Sequence, residues 1–192
     1  MLAALFSVAA LFLADSVVLA APIYEGAWVA HDPPIPKRAA HAATLLPNGK
    51  VLVTGGYDGS SSLPDNWLYD SETSSWTLAP SFAKRIYHHT LLLKDGRTLA
   101  VGGGNTGEFF VNALEPEGKV WSALEDIQHQ RRFSTATVMR DGRVLVVGGR
   151  ATGPGTPVPF ADIYDPQRNS WTSAALPVGA VVGTSSLRRQ CQ

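Results

Sequence analysis

Beyond residue 20 the chain alternates short apolar runs with turn signals, and it does so three times. Val51-Leu52-Val53-Thr54, Thr98-Leu99-Ala100-Val101 and Val144-Leu145-Val146-Val147 are runs of this kind. Val144 to Val147 is apolar at every position, which suits a strand sandwiched between neighbouring sheets. Each run follows Asn48-Gly49, Asp95-Gly96 or Asp141-Gly142. These dipeptides predict a two-residue hairpin turn with positive φ at both positions. Each run then ends in a glycine pair, Gly55-Gly56, Gly102-Gly103 or Gly148-Gly149. With no Cβ in the way, another backbone can approach closely there. The pattern predicts four short strands per unit. The first runs from about His41 to Leu46, and the second ends at the glycines. The third ends at Tyr69-Asp70, Leu114-Glu115 or Tyr164-Asp165, and the fourth begins at Trp76, Trp121 or Trp171.

The spacing makes these units a repeat. We align the leading arginines Arg38, Arg85 and Arg132, which lie 47 and 47 residues apart. This alignment puts His41, His88 and Thr135 at one position. The gap from the third-strand column to its Trp is 7 residues each time, whereas the gap from the second glycine to the Trp is 20, 18 and 22. Length variation therefore falls after the glycines, where a surface loop is expected.

Composition agrees with an all-β chain. Of 192 residues, 45% are hydrophobic and 17% charged, as in a folded globular protein, and Gly 18 with Pro 13 supply many turns. Lys plus Arg balance Asp plus Glu at 16 each, and no block of like charge points to nucleic acid or an anionic membrane. The single cysteine, Cys191, excludes an internal disulfide and a cysteine-based metal site. Met1 to Leu13 is almost wholly apolar, and Asp15 ends the run. That is too short to span a bilayer, and Val18-Leu19-Ala20 suits a signal peptidase, so we expect a signal peptide over 1–20 and a secreted or otherwise extracytoplasmic chain.

The period, the apolar strand closed by Gly-Gly, and the spaced Tyr and Trp together resemble the kelch repeat, a blade of a β-propeller. The resemblance covers residues 38 to about 173. It implies blades over 38–80, 81–127 and 128–174. A tail or truncated fourth repeat follows at 175–192. Ala27-Trp28-Val29-Ala30 matches Ser75-Trp76-Thr77-Leu78, so 21–37 reads as an orphan outer strand and linker. The expected fold is thus a partial propeller of three four-stranded antiparallel blades plus that strand. Propellers close with typically four to eight blades. Three leave the ring open, so we expect a fragment of a longer protein, a homodimer, or an open stack.

Several residues are candidates for chemistry. Arg38, Arg85 and Arg132 are expected to be structural, holding loop carbonyls of a neighbouring blade. His41, His88 and the adjacent His89 are expected to fill a polar structural position, and no triad shows metal-like spacing. Tyr87-His88 is similar to a dipeptide of the galactose and glyoxal oxidases, copper-radical enzymes with kelch-like propellers. That resemblance implies a second Tyr, a second His and a cross-linked Cys, and only Cys191 is present. Ligand contact is expected instead from the variable loops Tyr57–Asn66, Gly104–Phe109 and Gly149–Phe160, with Tyr57, Trp67, Phe109 and Arg150 as contacts. The expected function is non-catalytic recognition of a protein or glycan, with no cofactor, no metal and no nucleic-acid partner. The alternative is part of a propeller enzyme, either a copper-radical oxidase or a sugar-modifying enzyme, for which copper would be the cofactor.

Overall fold

In the computed structural model, residues 35–104, 111–151 and 155–177 are described, and all lie within one compact unit, Pro33–Gln192. The expected signal peptide, the Trp28 strand, Phe109 and most of the 175–192 tail lie outside the described residues.

The described chain forms twelve strands in three four-stranded sheets. Blade 1 holds β1 (Ala42–Leu45), β2 (Val51–Thr54), β3 (Asn66–Asp70) and β4 (Ser75–Ala79). Blade 2 holds β5 (His88–Leu92), β6 (Thr98–Gly102), β7 (Asn112–Leu114) and β8 (Trp121–Ala123). Blade 3 holds β9 (Thr135–Val138), β10 (Val144–Val147), β11 (Phe160–Asp165) and β12 (Ser170–Ala175). Every sheet is a meander of antiparallel neighbours in chain order. The first strands β1, β5 and β9 lie side by side, so the three blades stack in chain order.

The hairpins differ in detail from expectation. Leu46 donates its N–H to Lys50 and receives that of Gly49, so the loop is the three residues Pro47-Asn48-Gly49. Leu93 with Arg97 and Met139 with Arg143 repeat this closure. Only the glycine takes positive φ, at 79°, 86° and 94° for Gly49, Gly96 and Gly142. This is a three-residue loop with glycine in the left-handed position. The preceding Asn or Asp does a different job: Asn48, Asp95 and Asp141 accept the N–H of Lys50, Arg97 and Arg143 through Oδ1.

Two apolar layers hold the stack. Leu46, Leu52, Leu68 and Ala79 of blade 1 meet Leu114 and Trp121 of blade 2. Leu91, Leu93, Leu99 and Val101 of blade 2 meet Val144, Val146, Tyr164 and Trp171 of blade 3. A sheet with one layer on each face must be apolar on both, and β6, buried at all five positions, is the strand so placed.

The glycine pairs sit where the backbone is tightest. A Cβ on Gly55 would lie 2.4 Å from the Arg85 carbonyl oxygen, and one on Gly103 would lie 2.4 Å from that of Ile86. Across the blade boundary, the N–H of Gly56 reaches the Arg85 carbonyl and that of Gly103 reaches the Arg131 carbonyl, both at 2.9 Å.

These contacts correct the alignment of the third unit. The equivalent of Arg38 and Arg85 is Arg131, not Arg132. Left-handed backbone recurs two residues beyond each arginine, at Ala40, Tyr87 and Phe133. Arg132 instead matches Ala39, since Ala39 bridges Tyr57 as Arg132 bridges Arg150. The residue equivalent to His41 and His88 is accordingly Ser134, not Thr135.

Candidate functional site: the loop face

Strands β2, β6 and β10 end where β3, β7 and β11 begin, so the described parts of the variable loops, the glycine pairs and the arginine segments share one face of the stack. The hairpin loops occupy the opposite face.

The arginines anchor the loop face from beneath. Arg38 donates to the carbonyls of Gly55 and Asp65 and pairs with the Asp65 carboxylate at 2.7 Å. Arg131, with no exposed surface, donates to the carbonyls of Gly148 and Phe160 and pairs with Asp162, equally buried. Arg85 donates to Asn112 Oδ1 at 3.0 Å and lies over the Phe82 ring at 4.8 Å. Burial lowers Arg85 and Arg131 to about 10, which leaves both cationic at neutral pH. The carbonyls that Arg38 and Arg131 reach belong to their own blade, where a neighbouring blade was expected.

The histidines follow three residues on. His88 is 5% exposed, and its Nε2 lies 2.7 Å from Thr54 Oγ1, so it ties blade 2 to blade 1. Its Nδ1 is buried with no hydrogen-bond partner among the described residues. Burial first, then Arg85 and the neighbouring histidines, holds its pKa well below the ordinary histidine value. His88 is therefore neutral. His89 reaches the Ser134 carbonyl at 2.9 Å and so links blade 2 to blade 3. His41 is exposed at the outer end of the row.

Above this layer lie exposed aromatics. Tyr87 and Phe133 are each 39% exposed, on left-handed backbone at φ 56° and 58°, with ring centroids 4.2 Å apart. A non-glycine residue in that region is costly and calls attention to the site. The Arg132 guanidinium lies 6.0 Å from the Phe133 ring. A groove of about 400 Å³ in blade 3 is lined by Gln128, His129, Gln130, Thr156, Val158 and Phe160. His129 stacks on Phe160 at 3.7 Å and 13°, and its Nδ1 lies 3.1 Å from Asp162.

The sequence-derived contacts are only partly assembled here. Tyr57 and Arg150 occupy equivalent positions after their glycine pairs, and both are exposed on the loop face. Tyr57 donates its hydroxyl hydrogen to the Gly59 carbonyl, and Arg150 bonds that of Gly155. Trp67 is not a loop residue. It lies inside β3, half-buried, with its indole N–H on Asp65. Phe133, His129 and Phe160 were not singled out from sequence. Phe133 was within reach, because counting 11 residues back from each turn glycine (Gly49, Gly96, Gly142) gives Arg38, Arg85 and Arg131 and puts Tyr87 and Phe133 at one position.

The comparisons with known proteins agree with this architecture. A family model described as the Kelch motif matches residues 38–83. Galactose oxidase of Gibberella zeae is 35% identical over 81 residues, which are 40% of this chain and 11% of that protein. Tip elongation aberrant protein 3 of Schizosaccharomyces pombe is 41% identical over 54 residues, 28% of this chain and 5% of that one. Among solved structures, a fungal alcohol oxidase of the AA5 family, in complex with copper, matches with a TM-score of 0.56 and 21% identity, over 71% of this chain and 30% of that one. The chain thus spans about a tenth of the length of the galactose oxidase it matches. The chain thus carries a Kelch motif over residues 38–83 within a partial propeller fold of three registered blades, and is similar over 81 residues to galactose oxidase.

Proposed function

We propose that this chain is a secreted, non-catalytic recognition module that binds its ligand through the loop face, and that the geometry favours a glycan over a protein. The observation that carries the reading is the Tyr87–Phe133 pair. Two aromatic faces held out on strained backbone offer apolar area at little side-chain entropy cost. The same chain offers amide and hydroxyl groups of Gln128, Gln130 and Thr156 in a groove of blade 3, the blade that carries Phe133. Apolar ring faces together with hydrogen-bonding groups match a sugar, which carries C–H patches and hydroxyls on one ring. Tyr57 and Arg150 extend the same face. Screening the purified chain against a glycan array tests this. Binding to at least one glycan class is expected, with about tenfold or greater loss on Tyr87→Ala or Phe133→Ala. Binding to none, or binding indifferent to both substitutions, overturns the glycan reading.

The oxidase reading has one specific observation behind it: the Tyr87-His88 dipeptide, in which buried His88 Nδ1 meets no hydrogen-bond partner among the described residues. The residues present do not fit a complete copper site. Tyr87 packs on Phe133, His88 Nε2 is engaged by Thr54, and the described residues contain no group of three His, Cys, Asp or Glu able to hold a metal. Copper titration with an alcohol oxidase assay separates the readings, and stoichiometric copper uptake with turnover would favour the enzyme.

A further inference from the structure

Inside the chain, one contact is made twice. The face of blade 1 bearing Thr44, Leu52 and Leu68 seats on the face of blade 2 bearing Thr90, Leu114 and Trp121. The equivalent face of blade 2, with Leu91, Leu93 and Leu99, seats on Ala136, Val144, Tyr164 and Trp171 of blade 3. Each seating repeats the same polar ties. The Trp121 indole N–H donates to the Pro80 carbonyl at 2.9 Å, and that of Trp171 to the Glu125 carbonyl at 2.8 Å. Both acceptors lie four residues beyond the preceding blade's Trp.

Among the described residues, one half of this contact is unpaired at each end of the stack. Blade 1 presents the receiving face, with Leu45 61% and Leu78 66% exposed and Val51 and Trp76 half-buried. At the equivalent positions in blade 3, Val144 is 0% and Trp171 8% exposed, and Val138, the match to Leu45, packs against the core. Blade 3 presents the seating face. Thr137 is exposed, and Leu145 and Ile163 are partly so, at the positions of Thr44, Leu52 and Leu68.

We propose that a second copy of this chain docks head to tail on these faces, blade 3 of each copy seating on blade 1 of the other. The two surfaces are the halves of an interface the chain already makes twice, and their apolar positions correspond: Leu45, Val51 and Trp76 to Val138, Val144 and Trp171 on the receiving side, and Leu145 to Leu52 and Leu99 on the seating side. A head-to-tail contact satisfies all faces only if it closes. Two copies of three blades make six, inside the range in which propellers close, whereas three copies make nine. The zero net charge puts no long-range repulsion in the way. The proposal stands apart from any loop-face ligand.

Sedimentation velocity on the full chain tests it, using two substitutions at exposed sites, Leu78→Glu on the receiving face and Thr137→Arg on the seating face. The unsubstituted chain is expected to sediment as a dimer. Each variant alone, with its β-sheet circular dichroism retained, is expected to be a monomer. Mixing the two leaves one intact interface and is expected to restore a dimer. A monomeric unsubstituted chain overturns the proposal and leaves the faces to further blades of a longer polypeptide. A dimer that survives Thr137→Arg but not Leu78→Glu overturns it in favour of like-to-like association of the receiving face.

Discussion

At the scale of single residues, position within the repeat separates two adjacent arginines with opposite roles. Arg131 is fully buried on Asp162 and two carbonyls. Arg132 extends beside Phe133, and its guanidinium makes no ion pair among the described residues. Removing one member of a buried pair strands the other charge, so Arg131→Ala is expected to cost about 3–5 kcal/mol in urea denaturation. Arg132→Ala is expected to cost no more than about 1 kcal/mol. Equal losses would show that the register is wrong. His88 sets a pH dependence. Unfolded, it takes a proton near pH 6.5, whereas folded it stays neutral to much lower pH. Below about pH 6.5 the unfolded chain therefore binds more protons. Stability is full above that value and falls as pH drops, by up to about 1.4 kcal/mol per pH unit for this one group. His41, His89 and His129 are shifted the same way and steepen the fall. Urea midpoints at pH 7.5 and 5.5 should differ less in His88→Asn than in the parent, and an unchanged difference would contradict this account.

At the scale of elements, the same residue type serves two ends of a strand for different reasons. Gly49 and Gly103 both have positive φ, at 79° and 77°. Around Gly49 there is open space, so Gly49→Ala meets only the backbone preference and is expected to cost about 1–2 kcal/mol. A Cβ on Gly103 would lie 2.4 Å from the Ile86 carbonyl and 2.7 Å from His88 Cβ. Neither can withdraw, because Ile86 is backbone and His88 is fixed between blades. Gly103→Ala is expected to cost about 3 kcal/mol or more, by strain plus a broken blade contact. Thermal unfolding of the two variants would rank them, and a smaller effect at Gly103 would refute the close-approach role.

At the scale of the whole molecule, the blades are interchangeable in their contacts but not in their loops. Stacking uses positions that recur, namely the glycine pair, the Trp indole and the apolar second strand. Loop-face chemistry uses positions that differ. Equivalent sites carry Tyr57 in blade 1 and Arg150 in blade 3, and Ala40, Tyr87 and Phe133 in successive blades. Substitutions that alter the stacking and substitutions that alter the loop face therefore fall on separate residues. The same division makes the end faces the consequential surfaces for assembly, and the sedimentation experiment addresses them without touching the loops.

The periodicity of the chain determined the four-strand blade, its hairpin positions, the burial of the second strand and the stacking of repeats. Each of these follows from local backbone geometry or from a residue recurring at a fixed interval. Two consecutive arginines offer two alignments of the third unit; the 11-residue interval to the turn glycine already favours Arg131, and the tertiary structure settled it through the partners of Arg131. It also joined Tyr87 to Phe133, which lie 46 residues apart. No local pattern records that two rings on neighbouring blades will meet, since that contact depends on how one sheet turns against the next.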